Sequence, residues 1–578
     1  MDNQGISRIF AEIGDLLEIK GANPFKIRAY RNAADIAGHM AERIADLADS
    51  ELREIPGIGK DLAAKIRELV DTGALGYHVE LRQELPPFIL DVLQLQGVGP
   101  KTVAMLYAEL GIASLDALEA AAVAGRLRSL KGMGAKKEQL LLQSLAEHRR
   151  HVGRHLIGHA DEVATQMIDY LGTAAPDATI FPVGSLRRGC ETCGDIDLLA
   201  IGTHDQLMSR FTSCPAVERI LGHGPTKSSV LLGGDVQVDL RLIAVESAGA
   251  AAQYFTGSKA HNIAVRDLAL QRGVKLNEYG LFRVADGHRV AGASEPEVYA
   301  ALGLAYVPPE LRENRGEVRA AGDGTLPRLI ERTDLKGDLH SHTTATDGKA
   351  DVETMARAAR KAGLTYLAIT DHSQALAMAN GLDERRALAH ARHIRELSTQ
   401  LDGITLLAGI ECDIRADGTL DLAQDCLAEL DLVVASVHSG FGQDEAQMTD
   451  RILRAIECPV VDVIGHPTGR LLLRRDPYQV DIEQVLHAAA RTGVAMEVNS
   501  QPNRLDLSDS HARLALTSGV KLIISTDAHA PTGFDLLRWG VTVARRAWAE
   551  PKDVLNTQPL ETLQASLRRN RNGRRVSR

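Results

Sequence analysis

The sequence predicts a multidomain protein of α and α/β class, and three observations carry that prediction. A glycine-bearing phrase set between helices recurs in the N-terminal part, at 52–66, 95–104 and more loosely at 130–137. In the middle, the stretch GSLRRGCETCGDIDLL at 184–199 joins a phosphate cradle to an Asp-x-Asp pair within one turn-and-strand unit. Beyond Asp334, short apolar runs alternate with helical periods, and seven runs end on His, Asp, Glu or Asn, as in a β/α barrel with its chemistry at one mouth.

Composition bounds the rest. A chain of 578 residues fits about four modules. Its 44% hydrophobic and 25% charged residues mark a soluble globular class, and no apolar run reaches the roughly 18 residues of a membrane span. The start carries early acids and no export signal, so a cytoplasmic location is expected. A formal net charge of −10 argues against coating nucleic acid with bulk positive charge, so any such contact must be local. Six cysteines in an intracellular chain suggest no disulfide framework, and the lone Cys190-x-x-Cys193 pair is read as neither a zinc nor a redox site.

Apolar positions at helical spacing over 6–17 and 29–47 give a helical start. At 52–66 Pro56 ends a helix, Gly57 and Gly59 permit a hairpin with positive φ and close backbone approach, and Lys60 opens the next helix. The exposed amides suit a DNA phosphate without reading a base. Gly97, Gly99 and Lys101 occupy matching places in the second copy. One such phrase is an ordinary helix connection; repetition raises it to helix-hairpin-helix phosphate binding.

The run 178–183 is an apolar, β-branched strand that ends at Gly184. Ser185, Arg187 and Arg188 then place a hydroxyl and guanidinium donors beside free amides, a combination suited to polyphosphate. A strand's period of two sets Asp195 and Asp197 on one face with Ile196 toward the core. Asp239, on the alternating run 235–241, is the third carboxylate, whereas Asp235 abuts the Gly233-Gly234 turn and caps or solvates the strand end. Three such carboxylates can hold two Mg²⁺ or Mn²⁺ ions about 4 Å apart for in-line nucleotidyl transfer.

These residues, with Tyr254-Phe255-Thr256-Gly257-Ser258 and Asn262, resemble the nucleotidyltransferase core of the family X DNA polymerases. The resemblance implies a palm over 151–245 and a thumb over 246–312, with helical modules at 1–85 (lyase-like) and 86–150 (fingers). It implies that Gly184, Ser185, Arg188 and the Gly194 amide steady a deoxynucleoside triphosphate, and that Tyr254 and Phe255 wall the sugar beside Gly257. Asn262 would face the base's minor-groove edge and Arg266 the template strand. Lys26 and Tyr30 match positions near a downstream 5′-phosphate, and Lys65 matches the Schiff-base lysine of a deoxyribose-phosphate lyase. Asp61 departs from the pattern, standing where the animal repair enzymes have a phosphate-binding lysine, although Lys60 is adjacent.

After a polar, Gly-containing linker at 313–333, the strand ends of 334–570 present His340, His342 and Asp347, then His372, Glu411, His438, His466, and Asp527 with His529. One strand-end histidine is usually a satisfied loop residue, but six histidines and three acids at one topological place point to metals. The spacing resembles the PHP phosphoesterase domain of histidinol phosphatases and many bacterial polymerases, which implies a seven-stranded β/α barrel holding up to three Zn²⁺, Mn²⁺ or Fe²⁺ ions. Carried over, His340, His342, Glu411 and Asp527 hold one metal, Asp347, His372 and His466 a second, and Glu411 with His438 and His529 a third. Arg470 and the Arg474-Arg475 pair are candidates for a nucleic-acid backbone or a solvated face, and 571–578 reads as a basic tail.

Together the resemblances imply a bacterial family X DNA polymerase, a monomer acting on gapped or primer-template DNA with deoxynucleoside triphosphates and bearing a 3′-5′ exonuclease. The implied role is short-gap filling in repair, with abasic-site endonuclease and lyase activities alongside. The competing expectation is a DNA-binding scaffold fused to a phosphatase for a small metabolite.

Overall fold

The computed structural model describes residues 3–567 except 40–43, 56, 87, 94, 96–97, 131, 136, 143–144, 146–152, 174 and 205. Gly97 and the basic tail at 571–578 therefore lie outside the described residues. The chain separates into two compact units, 1–152 with the short segment 473–476, and the remainder.

The first unit is helical. Helices Asn3–Ile19 and Pro24–His39 bury Ile6, Phe10, Ile13 and Tyr30 in one apolar core that continues through Leu52, Ile66, Val103 and Leu106. Two of the repeated phrases join helices Asp49–Glu54 to Lys60–Thr72 and Phe88–Leu93 to Pro100–Leu110. Gly57 takes φ +96°, which a side chain would oppose. The expectation that its companion also needs positive φ is corrected: Gly59 (φ −79°) and Gly99 (φ −99°) are extended caps that any residue can adopt.

In the second unit β1 (His155–Leu156) and β3 (Thr192–Cys193) form a small ribbon. Beside it β2 (Thr179–Pro182), β4 (Ile196–Ile201), β5 (Val217–His223), β6 (Lys227–Leu232) and β7 (Val236–Ile243) form one sheet in the order β2-β4-β7-β6-β5. Only the β4–β7 pair of that sheet is parallel, and it aligns Asp197 with Asp239. Helices Ala248–Thr256 and Lys259–Gln271 lead to a three-stranded antiparallel sheet of β8 (Val274–Asn277), β9 (Gly280–Arg283) and β10 (Arg289–Ala291).

The segment expected as a linker, 313–333, carries a short helix and a buried acid. Glu317 opens the helix Glu317–Asp323, is fully buried, and accepts hydrogen bonds from His261 Nδ1 and the amides of Asn314 and Arg315. The preceding Arg312 is also buried and donates to Glu295 at 2.7 Å. Polar composition hid this because each buried charge is paired rather than solvated.

Seven parallel strands follow in sequential order: β11 (Gly337–Asp338), β12 (Tyr366–Ile369), β13 (Thr405–Asp413), β14 (Leu432–Ser436), β15 (Val463–Ile464), β16 (Ala495–Asn499) and β17 (Leu522–Ser525). A parallel bridge from Ser341 to Ala528 brings the first strand's end against the last, making a nearly closed barrel. Along β12 residues alternate: Tyr366 and Ala368 join a cluster with Leu407, Val434 and Ile523, while Leu367 and Ile369 pack into the outer core. Leu563 and Leu567 join that inner cluster. The outer core is continuous with that of the β2-β4-β7-β6-β5 sheet, linking Ile157, Met167 and Leu198 to Trp539 and Val543. Among the described residues no helix is long and apolar enough to cross a membrane.

Candidate active sites

The turn after β2 is shaped by one glycine. Gly184 takes φ +62°, and a Cβ there would lie 2.5 Å from Asp197 Oδ2, so the backbone can pass this carboxylate only without a side chain. The amide of Val183 donates to the Asp197 carbonyl at 2.8 Å and fixes the turn against β4. Asp195 is exposed just before β4, Ile196 is fully buried, and Asp197 faces the same side as its register partner Asp239. Burial, then the charges of Asp195 and Asp239, pushes the Asp197 carboxyl up to about 6. Burial pushes Asp239 the same way, but hydrogen bonds from Gln237, Lys227 and Ser229 hold it below the ordinary value. Lys227 Nζ lies 3.0 Å from Asp239 Oδ2, a cation that the sequence pattern did not single out.

Gly184, Ser185, Arg188, Asp195, Asp197, Tyr254, Phe255, Gly257, Asn262 and Arg266 all line one cavity of about 640 Å³. Tyr254 and Phe255 meet edge to face at 5.2 Å, both half-buried rather than packed away as a core pair. The Asn262 side chain is oriented at both ends, accepting from Gln253 Nε2 at 2.8 Å and donating to the Tyr254 carbonyl at 2.7 Å. Gln253 was missed; its signal was a lone amide in the apolar run AGAAAQYF, where it is buried. Arg188 donates to Glu313 Oε1 at 3.0 Å and to the Thr256 carbonyl at 2.6 Å. Gly194 is exposed and is not part of the cavity wall.

In the helical unit, the predicted Lys26, Tyr30 and Lys65 meet around Tyr77. Lys26 Nζ donates to the Tyr77 hydroxyl at 2.7 Å, Tyr30 stacks on Tyr77 at 6.0 Å, and Lys65 Nζ lies 5.6 Å from the Tyr77 ring centre. Lys65 also donates to Asp61 at 2.5 Å. At the hairpins, a Cβ on Gly59 or Gly99 would meet nothing within 4 Å. The Lys101 side chain is 89% exposed, with its Nζ 4.0 Å from Glu18 Oε1.

At the barrel mouth the nine candidate ligands converge. His340 Nε2 lies 3.4 Å from Glu411 Oε1, and His342 Nε2 lies 3.1 Å from Asp527 Oδ1, so the first expected group assembles. The other two groups are corrected. His529 and His372 approach Asp347 at 3.4 and 3.5 Å, while His466 and His438 approach Glu411 at 3.0 and 3.2 Å, exchanging His466 and His529 between the expected sets. Strand order is the reason. His438 and His466 follow the neighbouring strands β14 and β15, whereas the Ser341–Ala528 closure carries His529 to the β11 side.

The donor set fits metal ions. His340 Nε2, His342 Nε2 and Glu411 Oε2 are buried without hydrogen-bond partners among the described residues, and mixed imidazole and carboxylate groups lie within 4.8 Å of one another in three clusters. Burial, then neighbouring His529 and His372, pushes His342 down to about 4. Burial opposes the charged form of His372 and His438 too, yet Glu411 with Asp347 or Asp413 lifts them to about 10 and about 9. The surrounding histidines in turn keep Glu411 and Asp527 ionised despite their burial.

A second layer holds these ligands. Glu497, fully buried on β16, accepts from His340 Nδ1 at 2.7 Å, Ser525 Oγ at 2.7 Å and the His466 amide at 2.6 Å. Its signal was an acid inside the apolar strand AMEVN. His466 (φ +27°) and Asp527 (φ +52°) carry left-handed backbone, strain concentrated at the ligands themselves. Arg470 is neither a backbone clamp nor solvated: it is buried and forked onto Glu191.

Comparison with known proteins agrees with this geometry. Family models match for a helix-hairpin-helix domain at 1–75, a SAM-like helix-hairpin-helix tandem at 89–147, a DNA polymerase beta thumb at 251–313 and a PHP domain at 338–501. The chain is 38% identical over 573 residues to the DNA polymerase/3′-5′ exonuclease PolX of Bacillus subtilis, covering 99% of this chain and 100% of that one. It is also 31% identical over 233 residues to a probable phosphatase of Thermoanaerobacter sp. (strain X514), covering 38% of this chain and 89% of that one. A probable phosphatase of Shewanella oneidensis is 31% identical over 237 residues, covering 39% and 89%.

Proposed function

The chain belongs to the family X DNA polymerases that carry a PHP 3′-5′ exonuclease domain, and from that premise we propose that it is a cytoplasmic monomer that fills short gaps in DNA during repair. The observation that carries the reading is the alignment of Asp197 with Asp239 beside a cavity walled by Gly184, Ser185, Arg188 and Asn262.

In the palm, Asp195, Asp197 and Asp239 would hold two Mg²⁺ or Mn²⁺ ions, and in the barrel the nine ligands would hold up to three Zn²⁺, Mn²⁺ or Fe²⁺ ions. Such ions, when bound, neutralise charge on the phosphate and activate the attacking oxygen. Ser185, Arg188 and the amides of the turn receive the triphosphate, and the missing Cβ of Gly184 lets the turn lie against Asp197, while Gly194, expected to add its amide, stands outside the cavity wall. Tyr254 and Phe255 support the sugar, Asn262 meets the base edge in the orientation set by Gln253, and Arg266 faces the template. The primer 3′-oxygen bonds to the α-phosphorus as the bond to pyrophosphate breaks. In the barrel, a water oxygen bonds to the phosphorus of the last 3′-5′ phosphodiester as its bond to the penultimate 3′-oxygen breaks, that oxygen taking a proton to leave a 3′-hydroxyl and the terminal nucleotide departing as its 5′-monophosphate. The same hydrolysis would nick an abasic site, with His340 and His466 held in place by Glu497.

In the helical unit, Gly57, Gly59, Gly97, Gly99 and Lys101 grip backbone phosphates, and Lys26 and Tyr30 hold a 5′-phosphate. Lys65 serves as lyase nucleophile, its amine set beside the Tyr77 ring and paired with Asp61. Borohydride should trap a covalent adduct on an incised abasic site, and an adduct that persists in Lys65→Ala removes the assignment.

The test of the whole reading is purified protein on a one-nucleotide gapped duplex with Mn²⁺. Extension should appear when deoxynucleoside triphosphates are present and 3′ shortening when they are absent. A protein that cleaves small phosphomonoesters but leaves both DNA ends untouched would be a metabolite phosphatase instead.

A further inference from the structure

The triphosphate turn is held from the barrel side by contacts that no motif announced. Gly189 takes φ +68°, and a Cβ there would lie 2.1 Å from Thr542 Cγ2 on the helix Leu537–Arg546. Two residues on, Glu191 receives both arms of Arg470. Arg546, 7% exposed, donates from Nη1 to the Arg188 carbonyl at 2.7 Å and to Glu313 Oε1 at 3.0 Å, while Nη2 lies 3.0 Å from Asp509 Oδ2.

The same Glu313 oxygen also accepts from Arg188 Nε at 3.0 Å. One carboxylate charge is therefore divided between a guanidinium on the palm cavity and one buried in the barrel domain. Arg188 Nη1 is fixed on the Thr256 carbonyl at 2.6 Å, which sets the plane of the fork. If Arg546 were absent, Glu313 would pair with Arg188 alone and cancel the charge that a triphosphate needs, and the turn would lose a hydrogen bond to its carbonyl.

We propose that Arg546 of the barrel domain is a positioning residue for nucleotide addition, sharing Glu313 with Arg188 and anchoring the Arg188 carbonyl so that this guanidinium is set toward the incoming triphosphate and is not offset by Glu313 alone. The inference rests on reading Arg188 as a triphosphate ligand. It makes the exonuclease domain part of the polymerase's substrate site through a path that touches neither metal cluster.

Steady-state extension of one gapped duplex by the full chain tests it, using Arg188→Ala, Arg546→Gln, Arg546→Lys and the double variant Glu313→Gln/Arg546→Gln. Arg546→Gln should raise KM for the nucleotide about tenfold and lower kcat less than about threefold, the mark of lost ground-state binding. Resection of the same 3′ end should stay within about twofold of wild type, since the barrel ligands are intact, and Arg546→Lys should fall between. Removing the carboxylate as well should recover most of the lost affinity, because Arg188 is no longer neutralised; a purely structural role leaves the double variant no better than the single.

An unchanged KM in Arg546→Gln, with a raised KM in Arg188→Ala, overturns the inference while leaving the site reading intact. An unchanged KM in Arg188→Ala overturns the reading on which it rests. Should Arg546→Gln not fold, Arg546→Lys, which keeps a charge but loses the two-armed anchor on Glu313 and the Arg188 carbonyl, should raise KM about threefold; no rise there counts equally against the inference.

Discussion

Asn262 is held at one end by the Gln253 amide and at the other by the Tyr254 carbonyl, and Gln253, the side-chain partner, is a sensitive place to test the nucleotide cavity. Replacing Gln253 with Met keeps the buried volume but removes the donor to Asn262 Oδ1, freeing the amide to rotate. The expected outcome is a KM for the correct nucleotide raised about tenfold, the cost of roughly one hydrogen bond to a positioned group, with the melting profile nearly unchanged. Unaltered KM would mean that the amide is ordered by the substrate itself. In the barrel, His372 and His438 are lifted to about 10 and about 9, so both carry a proton at pH 7.5 before metal binds. Ligation requires the neutral ring, so loading should release protons at pH 7.5 and release fewer as the pH rises through 9 to 10. Titration calorimetry of Mn²⁺ in two buffers of different ionisation enthalpy measures this. Equal apparent enthalpies at pH 7.5 would contradict it.

The helix-hairpin-helix elements give a cleaner separation of backbone from charge. A Cβ at Gly99 meets nothing within 4 Å, and φ −99° suits any residue, so the fold does not require glycine there. An approaching phosphate does. Gly99→Val should keep its helicity yet weaken gapped-DNA binding by about 1 to 2 kcal/mol, with the salt dependence unchanged because no cation is lost. Lys101→Ala should instead flatten the salt slope by about one unit. Full affinity in Gly99→Val would leave this hairpin a structural corner. These elements were legible because their glycines repeat, as the barrel was legible from ligands at successive strand ends. The grouping of those ligands was not, since adjacency around a closed barrel depends on the Ser341–Ala528 bridge, which leaves no local pattern. The packing of the 313–333 segment is hidden for a related reason: sequence shows charge but not the partner that buries it, as for Glu317 with His261. Glu497 and Gln253 hid as single polar letters in apolar runs, and only packing shows that they hold a ligand rather than a surface.

At the scale of the whole molecule, a net charge of −10 leaves DNA binding to local features, and the acids that contribute to it include the two clusters read as metal sites. Palm and barrel share a continuous apolar core, yet their carboxylates and imidazoles belong to separate constellations on separate sheets. One chain is expected to add and remove nucleotides at two sites with separate metal ligands. A crossed assay tests it most directly: wild type, Asp239→Ala and His342→Ala on the same gapped duplex, each with and without deoxynucleoside triphosphates, in Mn²⁺. Asp239→Ala should lose extension by at least about a hundredfold and keep resection, and His342→Ala should do the reverse, as expected when one metal site loses a ligand and the other is untouched. Extension surviving in Asp239→Ala, resection surviving in His342→Ala, or either variant losing both activities while remaining folded would contradict the two-site account.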